Sequence, residues 1–288
     1  MTMRTVLVPV RGDDKGERVL DHALALGRRF NAHLRVLHCR PRPEDMLPFG
    51  VVVPTAFRRQ ITSSATTLAD QEERRIQALF KDYCSRHDLP VVESSRVAPR
   101  DRPSASWSEA TGKQAAVIAI QGRLADLVAV ARPDRELNLG RNTLEAALLE
   151  TGRLVLLCPP GEVASVGRHV AIGWDGQTEA ARAVAAAMPI LVAADQITVL
   201  SAETGAAVEL GPEDLRAYLA SHDRAAEIRT FRSRPTEVAQ GLLAAAKDAG
   251  ADVLLIGAFG HSRRRELVMG GVTQHVIEHT DMPVLLIH

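Results

Sequence analysis

The chain has 288 residues, a length that favours two domains over one. Its 35 basic residues balance 35 acidic ones and aromatic residues make up only 3%, which argues against a nucleic-acid-binding face. Three scattered cysteines form no disulfide framework, no apolar stretch could span a bilayer and no signal-peptide pattern appears, so we expect a cytoplasmic protein without membrane contact.

The chain opens with a buried strand and an amphipathic helix. Residues 4–10 form an apolar run, and Val19, Ala23, Leu26 and Phe30 then follow at the spacing of one helix face. A second strand is predicted at 34–39.

A long helix is predicted at residues 57–87, after an irregular loop at 40–54 that holds four prolines. Its predicted inner face consists of apolar residues, namely Ile61, Leu68, Ile76, Leu79, Phe80 and Tyr83. The first half then continues with strand 104–110, helix 113–124, strand 125–131, a helix that ends near Gly152, and strand 154–158.

The pattern of the first half recurs in the second. Residues 168–176 repeat the first strand and its turn, and the helical stripe returns as Ala183, Ala187, Ile190 and Ala194. This indicates an internal duplication, with domains at 1–160 and 167–288. The second half continues with strand 197–201, helix 212–221, strand 227–231, helix 235–249 beginning on Pro235, strand 252–256, helix 272–279 and strand 284–287.

Glycines surround a basic loop near the end of the chain. Strand 252–256 ends on Gly257, Gly260 follows, and Gly270 and Gly271 precede the last helix. Backbone N–H groups at a helix N-terminus attract anions, and the helix dipole favours negative charge there.

This arrangement resembles the universal stress protein family, whose nucleotide-binding members carry G-x2-G-x9-G-[ST] between the fourth strand and the last helix. Gly257, Gly260 and Gly270 match the spacing, whereas Gly271 stands where those members have a hydroxyl residue. The resemblance covers essentially the whole chain as a tandem pair. It implies an α/β fold of two Rossmann-like (adenine nucleotide α-hydrolase-like) domains, each a five-stranded parallel sheet of order 3-2-1-4-5 with helices on both faces.

The resemblance further implies one site for ATP or another adenine nucleotide, in the second copy, with no metal beyond a nucleotide-associated Mg. In a sheet of this order the ligand crevice lies at the carboxyl ends of strands 1 and 4. The first copy has Arg11 in place of Asp175 and lacks the glycines, so we expect a poor site there. The predicted site residues are Gly173, Asp175, Ile256, Gly257, Gly260, Gly270, Gly271 and Val272, with Arg263 as a candidate to neutralise phosphates.

Several interpretations of these residues stay open. Asp175 suits either recognition of adenine or ribose, or capping of the next helix. Gly257 and Gly260 suit either close approach of a phosphate or a tight turn with positive φ. His275 and His279 have metal-ligand spacing but no third ligand nearby, so we expect surface or partly packed histidines.

The function implied is stress-response sensing or regulation rather than enzymatic turnover, because no general base, nucleophile or metal cluster converges on the crevice. One alternative is a nucleotide-free protein that acts through protein partners, and a weaker one is a slow ATP-hydrolysing enzyme. We expect the last strands of the two copies, 154–158 and 284–287, to pair as an internal pseudo-dimer. A homodimer of whole chains stays open.

Overall fold

A computed structural model of the chain describes residues 2–11, 15–42, 55–134, 139–203, 209–234, 236–258 and 271–288, with the side chains of 55–65 outside the described part. The first half contains β1 (Thr5–Val10), α1 (Gly16–Phe30), β2 (His33–Arg40), α2 (Thr55–Arg86), β3 (Ser104–Thr111), α3 (Gln114–Gln121), β4 (Leu127–Ala131), α4 (Arg141–Glu150) and β5 (Leu154–Cys158). The second half contains β6 (His169–Gly173), α5 (Thr178–Ala193), β7 (Gln196–Glu203), α6 (Pro212–Ala220), β8 (Glu227–Arg232), α7 (Val238–Asp248), β9 (Val253–Gly257), α8 (Gly271–His279) and β10 (Val284–Ile287).

The strands of both halves join into one sheet. Over the described ranges, ten strands lie in the order β3-β2-β1-β4-β5-β10-β9-β6-β7-β8. Each half is parallel and has the predicted 3-2-1-4-5 order. The α/β fold with tandem copies is therefore confirmed, and the two predicted sheets are one continuous sheet.

The joint between the halves is an antiparallel pair of β5 and β10. Val155 lies opposite Leu286, Leu156 opposite Leu285, and Leu157 opposite Val284. All five residues of β5 are buried. This confirms the predicted pairing of the last strands as an internal pseudo-dimer.

Both faces of the joint are covered by helices. Because side chains alternate along a strand, Leu156 and Leu285 belong to the core beneath α1, α2, α5 and α6. Leu157 and Val284 belong to the opposite core, beneath α3, α4, α7 and α8. Each core contains residues of both copies, so the halves share their packing on either side of the sheet.

The segment between the copies is held by Asp252, just before β9. Its carboxylate accepts hydrogen bonds from the Ser165 hydroxyl at 2.7 Å and from the Gly167 and His169 backbone N–H groups at 2.9 and 3.1 Å. Asp126 binds the start of β1 in the same way, accepting from the Arg4 N–H at 2.8 Å. The duplication thus extends to the anchoring of each first strand.

The predicted inner face of α2 is only partly correct. Ile76, Phe80 and Tyr83 are buried, but Leu68 and Leu79 are 64% and 50% exposed. The side chain of Ile61 lies outside the described residues. A helix of 32 residues measures about 48 Å, whereas the eight-residue strand β2 measures about 26 Å. The sheet therefore cannot cover the whole helix, which explains the exposure of Leu68. Leu79 lies in the covered part, next to the buried Phe80, and is exposed because it sits at the edge of the buried helix face.

Pro235, the predicted first residue of helix 235–249, lies outside the described residues, and α7 begins at Val238. Glu237 has φ −114° and ψ 4°, outside the helical region. Its N–H group instead donates to the Arg234 carbonyl at 2.9 Å in a turn. In the described ranges we find no helix that is long and apolar enough to cross a membrane.

The substitution Leu286→Lys tests the joint. Leu286 has no exposed surface, so the change places an ammonium group in the core opposite Val155. A buried, unpaired charge is strongly unfavourable, and we expect a loss of about 3 kcal/mol or more in the free energy of unfolding, measured by urea titration. Leu124→Lys is the control, since Leu124 is 82% exposed. Equal unfolding midpoints for the two variants would contradict the pairing.

Candidate functional site

The candidate site of the second copy lies where β6 and β9 run side by side. These two strands are parallel neighbours, with Ile172 opposite Leu255, and the strand order reverses between them. Ligands of open α/β sheets bind outside the carboxyl ends of the strands at such a point. Asp175 follows β6, and Gly257 ends β9. The predicted residues Gly260, Arg263 and Gly270 lie outside the described part, so their roles stay predictions.

Asp175 is exposed at this edge, in the turn between β6 and α5. Its Oδ1 atom accepts a hydrogen bond from the Gln177 backbone N–H at 3.0 Å. Gln177, not Asp175, is the N-cap residue of α5. The carboxylate therefore closes the turn in front of the helix and lies at the solvent-facing side of the crevice.

Gly257 is required by packing between a strand and a helix. A Cβ atom at this position would lie 2.4 Å from the carbonyl carbon of Glu179 and 2.6 Å from the backbone nitrogen of Ala180. Both atoms belong to the first turn of α5. Neither a phosphate nor a positive φ is needed to explain this glycine, so the structure adds a third reason to the two that the sequence left open.

Gly173 is explained in a similar way. A Cβ atom there would lie 2.8 Å from Cγ2 of Ile256, whose side chain is 5% exposed. Gly173 and Ile256 thus pack against each other across β6 and β9. Any contact that they make with a ligand would come from the backbone.

The described residues leave space beside Gly271, the first residue of α8. No described atom lies within 4 Å of the place that a Cβ atom of Gly271 would take. Val272 is 37% exposed, whereas Thr273 is buried. The first N–H groups of a helix lack partners within the helix, so this end can donate hydrogen bonds to an anion.

The equivalent crevice of the first copy is crossed by the chain's own side chains. Nε of Arg11 donates to Oε1 of Gln114 at the start of α3, and Nη2 donates to the Thr143 hydroxyl in the first turn of α4 at 2.6 Å. Lys15 forms an ion pair of 2.9 Å with Asp134, which follows β4. These contacts agree with the expectation of a poor site, and Gln114 and Thr143 were not predicted to take part.

Trp174 is a second residue that sequence reasoning missed. Its indole is buried between the end of β6 and the residues before α6. Nε1 donates to the carbonyl oxygens of Leu210 and Gly211, at 2.9 and 3.1 Å. The sequence did hold one sign of this residue's importance: Trp174 occupies the position in the second copy that Val10 occupies in the first.

Histidines and cysteines form no reactive cluster in the described ranges. His275 and His279 are stacked on α8 with ring centroids 4.1 Å apart, and burial, with a smaller effect of His279, lowers the pKa of His275. No group of three or more metal-ligating side chains is found among the described residues. Burial raises the pKa of the Cys39 and Cys84 thiols to about 11. These thiols are therefore protonated at neutral pH and are weak nucleophiles.

The sequence matches one protein family. The Universal stress protein family matches residues 2–149 and 167–288, once for each copy. No curated protein matches the sequence significantly.

Structure comparison agrees with that family. A universal stress protein from Archaeoglobus fulgidus is 12% identical with a TM-score of 0.66, covering 100% of this chain and 99% of its own. A putative universal stress protein from Pseudomonas aeruginosa is 17% identical with a TM-score of 0.55, covering 99% and 93%. A universal stress protein in complex with cAMP covers 42% of this chain and 97% of its own, at 22% identity and a TM-score of 0.30. This last likeness is too low to carry an argument about ligands.

Two glycine substitutions test the packing at the site. We expect Gly257→Ala to lower the free energy of unfolding by about 2 kcal/mol, because the new methyl group overlaps the α5 backbone. Gly271→Ala is the matched control, since its methyl group enters open space, and we expect a change within about 0.5 kcal/mol. Thermal or urea unfolding measures both. The packing account of Gly257 fails if both variants unfold like the wild type.

Proposed function

Since the chain belongs to the universal stress protein family, which it matches along both copies, we propose that its second copy binds one adenine nucleotide, with ATP as the first candidate. One observation supports the proposal: Asp175 follows β6, the parallel neighbour of β9 where the strand order reverses, and α8 is the helix that follows β9 in the chain. The role that we assign to this binding is sensing or regulation in the stress response.

The two ends of the crevice suit the two ends of a nucleotide. The Asp175 carboxylate is an acceptor for the amino group of adenine or for a ribose hydroxyl. The N–H groups at the start of α8 favour phosphate, since the helix dipole adds to their hydrogen bonds. Gly260 and Gly270, for which we predicted a role in phosphate binding, come between β9 and α8 in the sequence. A Mg²⁺ ion would accompany the phosphates, and we assign no protein ligand to it.

We propose that the second copy binds its nucleotide without hydrolysing it efficiently. Hydrolysis would need a group that activates water next to the phosphates. Asp175 follows β6, a place that suits the adenosine end rather than the phosphates. The proposal is therefore a binding protein and not an efficient hydrolase.

A second candidate function rests on Gly271. Members of the family that bind nucleotide carry a hydroxyl residue at this position, and here that hydrogen bond is lost. One such bond contributes about 1 kcal/mol net. The alternative is therefore a protein that has lost its nucleotide and acts through protein partners.

Titration calorimetry with ATP separates these functions. We expect a stoichiometry near one per chain, and Asp175→Ala should weaken binding about tenfold because an acceptor is lost. Gly271→Ser should tighten binding up to about tenfold, since it restores the hydroxyl in a place with room for it.

Arg11→Ala is the matched control, because Arg11 stands in the first copy where Asp175 stands in the second. It should leave ATP binding unchanged. Melting of Gly271→Ser without ligand shows whether the change merely stabilises the helix. A stoichiometry of two, or loss of binding in Arg11→Ala, would contradict the assignment to the second copy. Absence of binding in the wild type would favour the nucleotide-free alternative.

A further inference from the structure

The first copy contains an apolar cavity that the nucleotide proposal does not use. It has a volume of about 200 Å³ and lies between α1, α2 and the sheet. Its apolar walls come from strands and helices alike, namely Val10, Leu20, Val36, Ile76, Phe80 and Trp107. The charged residues Arg11, Glu17 and Arg75 also border it, as does Leu79, which is half exposed.

The walls present aromatic ring faces. The Trp107 and Phe80 rings lie 5.4 Å apart at an angle of 36°. Nε1 of Trp107 donates to Oε1 of Glu109 at 2.6 Å, so this indole has its hydrogen bond outside the cavity. Aromatic rings favour offset or tilted contact with further rings. An engineered apolar cavity of about 150 Å³ holds benzene, so this volume suits one small ring system.

The second copy shows what the fold places in the equivalent space. There Trp174 stands where Val10 stands in the first copy. Its indole belongs to the same core as Leu215 and Leu219 of α6, the helix that corresponds to α2. The hydrogen bonds of Nε1 to the Leu210 and Gly211 carbonyls fix the ring. Val10 is too small to fill the corresponding volume.

We propose that this cavity is a binding site for a small uncharged aromatic molecule of one or two rings, which takes the place that the Trp174 indole fills in the second copy. Three charged side chains border the cavity, and each binds a group outside it: Glu17 pairs with Arg86, Arg75 with Glu72, and Arg11 binds Gln114 and Thr143. Because the remaining walls are apolar, we expect an uncharged ring rather than a strongly hydrated one. The site belongs to the first copy and is independent of the nucleotide crevice.

Indole is the probe, titrated into the full-length chain by calorimetry. We expect saturable binding with a stoichiometry near one. Val10→Trp should weaken the affinity by at least about tenfold and raise the melting temperature, since the new ring fills the cavity from within. Leu20→Phe fills the cavity from α1 and should also weaken indole binding. It provides a second test if Val10→Trp does not fold.

Two controls leave the cavity walls intact. Leu124→Ala changes an apolar residue that is 82% exposed, and Asp175→Ala changes the other copy. Both should bind indole like the wild type. Heats that do not saturate at the solubility limit of indole would overturn the proposal. Unchanged affinity in folded Val10→Trp and Leu20→Phe would overturn it as well, and so would displacement of indole by ATP.

Discussion

The antiparallel pairing of β5 with β10 is the interaction on which the rest of the molecule depends. Each half alone would expose an apolar edge strand, a surface that promotes aggregation. Pairing covers both edges and joins the cores on both faces of the sheet. The pairing also fixes how the strands of one half are directed relative to those of the other. Since strands are parallel within a half and antiparallel across the joint, the carboxyl ends of β1 and β4 point opposite to those of β6 and β9. The two crevices therefore lie at opposite edges, and a small ligand meets one copy only.

Two adjacent positions account for much of the difference between the copies. The first copy has Val10 and Arg11 where the second has Trp174 and Asp175. Arg11 reaches Gln114 and Thr143 across the crevice, while Val10 leaves a cavity behind it. In the second copy Trp174 is buried in the core, while Asp175 accepts a hydrogen bond from the Gln177 backbone in its own turn. The first strand of each copy is anchored alike, by Asp126 and by Asp252. In our two proposals, this difference at the end of one strand places the ligand in the crevice of the second copy and in the cavity of the first.

Much of the fold follows from the sequence, because buried parallel strands form unbroken apolar runs and amphipathic helices form periodic stripes. The strand order came from the family resemblance. Tertiary packing decided what the sequence could not. Gly257 is glycine because the α5 backbone crosses it, an approach between residues far apart in the chain. Leu68 fits the helical period, but α2 is longer than the sheet beneath it. The cavity beside Trp107 depends on residues of β1, β2, β3, α1 and α2 that are far apart in the chain, so the sequence did not predict it.

The central claim is that both copies form one cooperative unit held by the β5–β10 joint. Native-state hydrogen exchange over a range of urea concentrations tests it most directly, because it gives an opening free energy for each strand. We predict that amides of β1, β5, β6 and β10 exchange with one common free energy, equal to that of global unfolding. Two separate levels, one for the strands of each copy, would contradict the account.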